Sequence, residues 1–262
     1  FPADAKAAGL IDAVVDDREL EPQLRTWGLL DADEVLEWWQ PMAPRRQAWG
    51  PRSRIAVVTL DGGISDHGGL GLDGATVGGV EMARQLRAVG QDPQVTGVVM
   101  RIRSPGGTLL GSDAMRDALV GLSRRLPVAA SMGGVAASGG YWTALGAPIV
   151  FADHATLTGS IGAFVLKPTL TGLLDHLHLH HRAFGIGPHA GITSPWRPWS
   201  GDDEAAARRS LGRYYDLFLE RTAVARKLDL AKVSSLAGGR IWFGDEAIAR
   251  GLVDRQGGVL DA

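Results

Sequence analysis

The sequence predicts an α/β fold in which a mainly parallel sheet is flanked by helices. Short apolar runs of strand length recur along residues 54–262, and stretches with helical periodicity separate them. Parallel strands need a long crossover connection, which is usually a helix, so repeated βαβ units are the expected arrangement. Apolar residues make up 45% of the 262 residues, which is enough for a sizeable core.

Strands and helices are expected to alternate from residue 54 onwards. The predicted strands are 55–60, 97–102, 127–131 and 149–151, and the predicted helices are 80–89, 112–125, 136–145, 204–227 and a short helical close within 234–250. The Gly- and Asp-rich stretch that ends near Gly74 is predicted to be a loop, because glycine and aspartate interrupt regular structure.

Two segments precede this domain. Residues 17–53 are predicted to be a helical connector rich in tryptophan, which three prolines then interrupt. Residues 1–12 align without a gap with residues 243–254, and six of the twelve positions are identical. This repeat predicts that residues 1–16 are the tail of a preceding similar unit, so that the chain is the second half of a tandem protein. Chance similarity between two alanine-rich helix ends is the alternative.

The composition narrows the classes of function. A formal net charge of −2 without a long basic run argues against a nucleic-acid partner. The absence of cysteine excludes disulfides, thiol catalysis and cysteine-ligated zinc. No run approaches the roughly 18–20 apolar residues of a membrane span, so the chain itself is expected to be soluble. No cofactor is predicted.

Two glycine-rich turns follow predicted strands. Ser138 lies in Ala-Ala-Ser-Gly-Gly, where small neighbours allow a sharp turn and a close approach of substrate. Gly107 ends a Ser-Pro-Gly-Gly turn, whose backbone N–H groups could face a developing oxyanion. Active sites collect at such strand ends in open α/β sheets. The pair predicts a serine nucleophile with its oxyanion hole, although each turn alone could be an ordinary tight connection.

These residues resemble the signal peptide peptidases of the SppA type, which are serine proteases with a Clp/crotonase-like fold. The resemblance extends over about residues 55–260 and rests on four motifs in order, at 104–107, 132–141, 156–162 and 238–244. It implies that residues 54–262 form a Clp/crotonase-like peptidase domain with Ser138 as nucleophile. The N–H groups of Gly107 and Gly139 would be the oxyanion donors. Ser160 would help to hold the base, a neutral lysine, although a strand-end cap is the alternative for this serine.

The sequence departs from the family pattern at the base. One-domain members carry the lysine shortly before a Ser-Pro pair, where this chain has Ala190, and no lysine occurs between Lys167 and Lys227. Lys167 lies in a region that the family does not use for the base, and we expect it to be a surface residue. Long members are tandem repeats in which the first half supplies the lysine to the serine of a neighbouring subunit. The resemblance therefore implies the C-terminal portion of a longer, oligomeric protease.

The sequence also leaves other interpretations of its site residues and function open. A metal site is conceivable in the histidine-rich stretch, although a solvated or packed cluster is favoured and no metal is predicted; its members are His176, His178, His180 and His181. His154 and His189 are unplaced candidates for a Ser-His-Asp triad. Because of Ala190, the chain could also be a non-catalytic scaffold or peptide-binding module. A crotonase-like acyl-CoA enzyme is the remaining alternative.

The function predicted from these observations is that of a serine endopeptidase which degrades signal peptides and other short hydrophobic peptides by acyl transfer. The expected partners are these peptides, an upstream repeat of the same protein and further copies of the chain. The family resemblance implies a membrane-associated protein of the cell envelope, periplasmic or on the outer side of the cytoplasmic membrane. The isolated chain is expected to be inactive or weakly active, because its base would lie upstream.

Overall fold

The computed structural model describes residues 6–13, 26, 53–71 and 74–262. The chain divides into two compact units, Phe1–Pro51 and Arg52–Ala262. In the first unit, residues 6–13 contain a short helical turn closed by a hydrogen bond of 3.0 Å from the Gly9 N–H to the Lys6 carbonyl. The predicted connector, apart from residues 26 and 53, and half of the predicted repeat tail lie outside the described residues, so both stay predictions.

The second unit is built on a mainly parallel sheet, as the sequence predicted. Its strands, with those of a small separate sheet, are Arg54–Asp61 (β1), Ile64–Ser65 (β2), Gly69–Gly71 (β3), Gly74–Gly78 (β4), Val95–Ser104 (β5), Val128–Ala137 (β6), Ile149–Ala152 (β7), Leu157–Gly159 (β8), Ile241–Phe243 (β9) and Arg255–Gln256 (β10). The main path runs β1-β5-β6-β7-β10, and each neighbouring pair along it is parallel. Strand β8 pairs in parallel with the end of β6 and antiparallel with β9.

Helices occupy the connections between these strands. They are Gly79–Val89 (α1), Leu109–Ser123 (α2), Gly139–Ala144 (α3), Thr171–His176 (α4), Gly201–Arg226 (α5), Leu230–Leu236 (α6) and Gly244–Ala249 (α7). Helix α2 is the crossover between the parallel strands β5 and β6, and it buries an apolar face that includes Met115, Leu119 and Leu122. The alternation of strand and helix confirms the predicted fold class.

Three predicted elements differ in the structure. The loop predicted to end near Gly74 contains β2 and β3, which join β4 in a small sheet of order β2-β4-β3; the sequence does not indicate these strands, because glycine has low strand propensity. The helix predicted from residue 136 begins only at Gly139, since Ala136 and Ala137 continue β6 and pair with β8. Alanine favours helices, but tertiary pairing overrides that preference here. The predicted helical close is interrupted by β9, which pairs with β8.

Aromatic packing holds α3 in the core. Tyr141 and Trp142 are almost completely buried, and the Phe218 ring of α5 lies 4.7 Å from the Trp142 ring. The Tyr141 hydroxyl donates to the Leu252 carbonyl at 2.9 Å. Burying each large side chain contributes about 1.5–3 kcal/mol. These contacts fix the helix that begins one residue after Ser138.

Candidate active site

Ser138 stands at the sharp junction of β6 and α3. Its backbone angles, φ 51° and ψ −119°, lie in a region that residues other than glycine rarely occupy. The Ser138 N–H donates to the Gly159 carbonyl at 2.9 Å, and its carbonyl accepts the Trp142 N–H at 2.8 Å. The surrounding structure therefore holds a strained serine in one conformation, which is typical of functional sites.

The hydroxyl of this serine is available for chemistry. The Ser138 side chain is half-buried, and no residue in the described ranges hydrogen-bonds to its Oγ. Its neighbours Ala137 and Gly139 are small, so the turn presents the hydroxyl without a bulky side chain beside it. The structure therefore offers an accessible serine hydroxyl at the carboxyl end of a central strand, which is where α/β proteins collect reactive groups.

The Gly106–Gly107 peptide is fixed by its neighbours on one side. The Gly106 carbonyl accepts the Ile64 N–H at 2.9 Å, and the Thr108 N–H donates to the Ile64 carbonyl at 3.0 Å. The buried Ser104 hydroxyl accepts the Gly106 N–H at 3.1 Å. Because a trans peptide directs its C=O and N–H in opposite directions, the Gly107 N–H points away from Ile64.

The backbone nitrogens of Gly107 and Gly139 lie in neighbouring, tightly packed turns. A Cβ added at Gly139 would lie 3.0 Å from the Gly107 nitrogen, and one added at Gly106 would lie 2.6 Å from the Gly139 nitrogen. Neither amide donates a backbone hydrogen bond to any residue of the described ranges. Two free N–H groups next to a serine are the arrangement that stabilises a tetrahedral oxyanion.

Ser160 occupies the end of the neighbouring strand. Strands β6 and β8 are in register at Ala137 and Gly159, so Ser138 and Ser160 are the next residues of two paired parallel strands. Ser160 has φ 50°, is half-buried, and its N–H donates to the Arg240 carbonyl at 2.7 Å. The fold thus brings these two predicted serines to one edge of the sheet, where a base could meet both.

Within residues 53–71 and 74–262, no lysine side chain hydrogen-bonds to Ser138. Ala190 is exposed in a turn, where its N–H lies 3.4 Å from the Gly187 carbonyl. The half-buried Lys167 donates from its ammonium group to the Ser194 carbonyl, so it holds the loop that contains Ala190. Its role in the structure is therefore an anchor of that loop.

A charged cluster that the sequence did not reveal fastens the same loop to α5. The Asp203 carboxylate is fully buried, accepts from Arg197 at 2.6 Å and lies 2.9 Å from His189 Nδ1. It also forms a capping box with Ser200 at the start of α5. Hydrogen bonds from Arg197, then from His189 and the Ser200 N–H, hold the pKa of the Asp203 carboxyl well below its usual range. Only the Ser-x-x-Asp capping pattern could have indicated this cluster.

The other histidines that the sequence singled out form no hydrogen bond with these groups in the described ranges. His154 pairs with Asp153 at 2.7 Å and is largely exposed. The histidine-rich stretch predicted to be a solvated or packed cluster is exposed at all four positions, His176, His178, His180 and His181. Within the described ranges, no group of three or more His, Cys, Asp or Glu side chains is arranged to hold a metal ion.

The fold has a counterpart among solved structures. The chain superposes on a mutant form of the 1510-N membrane-bound stomatin-specific protease with a TM-score of 0.52, covering 79% of this chain and 80% of that one at 11% identity. At this identity the likeness concerns the fold alone. Together with the strand order, it defines the class by fold: a mainly parallel α/β domain flanked by helices, which confirms the predicted fold class.

The sequence defines the family more closely. Residues 121–262 match peptidase family S49, and the chain belongs to this family. It is 32% identical to Protease 4 of Haemophilus influenzae over 98% of the chain and 42% of that protein. It is 34% identical to the chloroplastic serine protease SPPA of Arabidopsis thaliana over 81% of the chain and 32% of that protein. The predicted resemblance to SppA-type peptidases is confirmed.

The lengths of these relatives differ from that of the chain. The chain spans less than half of the two relatives above, whereas it covers 69% of putative protease slr0021 of Synechocystis, to which it is 34% identical. Among the helices of the described ranges, none combines the length and the apolar content that crossing a bilayer requires.

Proposed function

We propose that the chain carries the nucleophile of a serine endopeptidase that degrades signal peptides and other short hydrophobic peptides. The observation that carries this proposal is the strained Ser138, with its free Oγ beside the free N–H groups of Gly107 and Gly139. Membership of a peptidase family supports acyl transfer as the chemistry. Exposed apolar side chains a few residues beyond Ser160, Phe164 and Leu166, support apolar peptides as substrates.

The reaction follows from this arrangement. The Ser138 Oγ attacks the scissile carbonyl while its proton passes to a neutral amine, and the carbonyl oxygen becomes an oxyanion bound by the N–H groups of Gly107 and Gly139. Collapse of the tetrahedral intermediate breaks the C–N bond, and the leaving amine takes the proton. Water then attacks the acyl-enzyme by the same route in reverse, which releases the acid and regenerates the serine.

The base is proposed to be a lysine from an upstream repeat of the same protein, supplied by a neighbouring subunit. Ala190 and the engagement of Lys167 with Ser194 support a base from outside residues 53–262. Such a lysine acts as a base only when desolvation keeps it neutral, which a subunit contact provides. An oligomer on the outer side of the cytoplasmic membrane or in the periplasm is part of the same proposal.

The direct test is peptide cleavage by the gene product that contains this chain. Ser138→Ala should abolish cleavage of an apolar peptide, because no second nucleophile replaces the hydroxyl. Ser123→Ala is the matched control: this hydroxyl lies in the last turn of α2 and donates to the Val120 carbonyl at 2.9 Å. Cleavage by Ser138→Ala at the rate of the control would refute the proposal.

A non-catalytic role is the second candidate, and Ala190 is the observation that favours it. In this case residues 1–262 alone would bind peptides without cleaving them. The isolated chain should then bind an apolar peptide and show no turnover. Robust turnover by the isolated chain would contradict both this candidate and an upstream base.

A further inference from the structure

Ser112 is a buried hydroxyl that belongs to none of the four family motifs. It lies in the first turn of α2, is 1% exposed, and its Oγ donates to the Thr108 carbonyl at 2.7 Å. The Ser112 backbone N–H donates to the same carbonyl at 3.1 Å. These two hydrogen bonds fix the Ser112 rotamer and the position of Thr108, the residue that directly follows Gly107.

The same oxygen lies against Gly139. A Cβ added at Gly139 would overlap the Ser112 Oγ, and its next neighbour would be the Gly107 nitrogen at 3.0 Å. The hydroxyl therefore occupies the space beside the Gly139 Cα, on the side that faces Gly107. One buried side chain thus touches both turns that supply the free N–H groups.

We propose that Ser112 is a positioning residue that sets the separation of the Gly107 and Gly139 N–H groups. This inference rests on the proposed function, since it concerns the oxyanion hole of that reaction. Donors stabilise an oxyanion only when they lie within hydrogen-bond distance of the position that the charged oxygen will occupy. Removing the hydroxyl leaves a gap beside Gly139 and releases the hydrogen bond to Thr108, so both donors gain freedom to move.

Loss of the Ser112 hydroxyl should affect the transition state and leave substrate binding unchanged. The Ser112 side chain is buried behind the two glycines, so it does not touch a bound peptide in the ground state. A change in donor spacing therefore lowers kcat and leaves KM nearly unchanged. Deleting an oxyanion donor outright costs about 100- to 1,000-fold in kcat, and a displaced donor should cost about tenfold.

The test compares Ser112→Ala with Ser123→Ala in the gene product that contains this chain. Both substitutions remove a hydroxyl of α2 that donates to a backbone carbonyl three or four residues earlier, and alanine keeps the helix in each case. We expect Ser112→Ala to lower kcat about tenfold with KM within about twofold of wild type. Inhibition by a peptide aldehyde, whose adduct places an oxyanion in the hole, should weaken by a similar factor. Ser123→Ala should match wild type in both measurements.

Equal kcat and equal aldehyde inhibition for Ser112→Ala and Ser123→Ala would overturn the positioning role. A rise in the KM of Ser112→Ala without a change in its kcat would overturn the positioning role as well. Failure of the proposed function is recognised separately, because Ser138→Ala would then retain cleavage. Thermal unfolding of both alanine variants is measured as well. If kcat falls in both variants in step with their stability, the effect is not specific to Ser112, and the positioning role is contradicted.

Discussion

Gly106→Ala tests whether the backbone atoms of the site are packed too tightly to accept an added methyl group. Gly106 has φ 108°, which an L-residue rarely adopts, and it is buried directly behind Ser138 and Gly139. An added Cβ would lie 2.6 Å from the Gly139 nitrogen and 2.8 Å from the Ser138 Cβ. Carbon atoms in ordinary contact are about 3.5–4.0 Å apart, so the new methyl group overlaps its neighbours by about an ångström.

The loss of folding stability caused by Gly106→Ala has two sources. A strained backbone angle costs about 1–3 kcal/mol, and overpacking a rigid site costs about 1–3 kcal/mol. The neighbours cannot yield cheaply, because the Ser138 N–H is bound to the Gly159 carbonyl and Gly139 begins α3. We therefore expect Gly106→Ala to lower the free energy of unfolding by roughly 2–6 kcal/mol.

Urea denaturation of residues 1–262 measures this change without any need for activity. The control is Gly121→Ala in α2, where nothing lies within 4 Å of an added Cβ. That substitution should stabilise the chain by about 0.5–1 kcal/mol, because alanine favours a helix interior more than glycine does. The same chemical change thus has opposite signs at the two positions. If Gly106→Ala and Gly121→Ala unfold at the same urea concentration, the tight contact of the two turns is wrong.

Two further predictions concern the surroundings of the site. The pKa of the Asp203 carboxyl lies below its ordinary value of 3.8, so the stability that its ionised form contributes is complete above that pH and is lost as the pH falls towards the folded-state pKa. Asp203→Asn should therefore flatten the acid limb of a plot of unfolding free energy against pH, and an unchanged limb would contradict the cluster with Arg197. Tyr141→Phe removes the hydrogen bond to the Leu252 carbonyl and should cost about 0.5–1.5 kcal/mol in urea denaturation, whereas a neutral result would contradict the buried bond.

Local sequence patterns predicted the parts of the site that depend on small residues. A serine among alanines and glycines after an apolar run indicates a sharp strand-to-helix turn, and the structure has that turn at Ser138. The Ser-Pro-Gly-Gly pattern likewise predicted the turn at Gly107. In the structure, a positive φ and a close approach to Ile64 both require glycine at this position.

Contacts between distant parts of the chain could not be predicted in the same way. Nothing in the sequence shows that Ser112 meets Gly139, or that His189 meets Asp203, because both pairs form only after the elements pack. The end of β6 was predicted as helix for a related reason: Ala136 and Ala137 have helical propensity, and only their pairing with β8 makes them extended.

Covalent labelling tests the central claim most directly. The gene product that contains this chain would be treated with a fluorophosphonate, which reacts with an activated serine, and the modified peptide would be identified by mass spectrometry. The geometry predicts one adduct, on the Oγ of Ser138, and none after Ser138→Ala, with loss of peptide cleavage in proportion to labelling. An adduct on another residue, or full inhibition of cleavage while Ser138 remains unmodified, would contradict the assignment of Ser138 as the nucleophile.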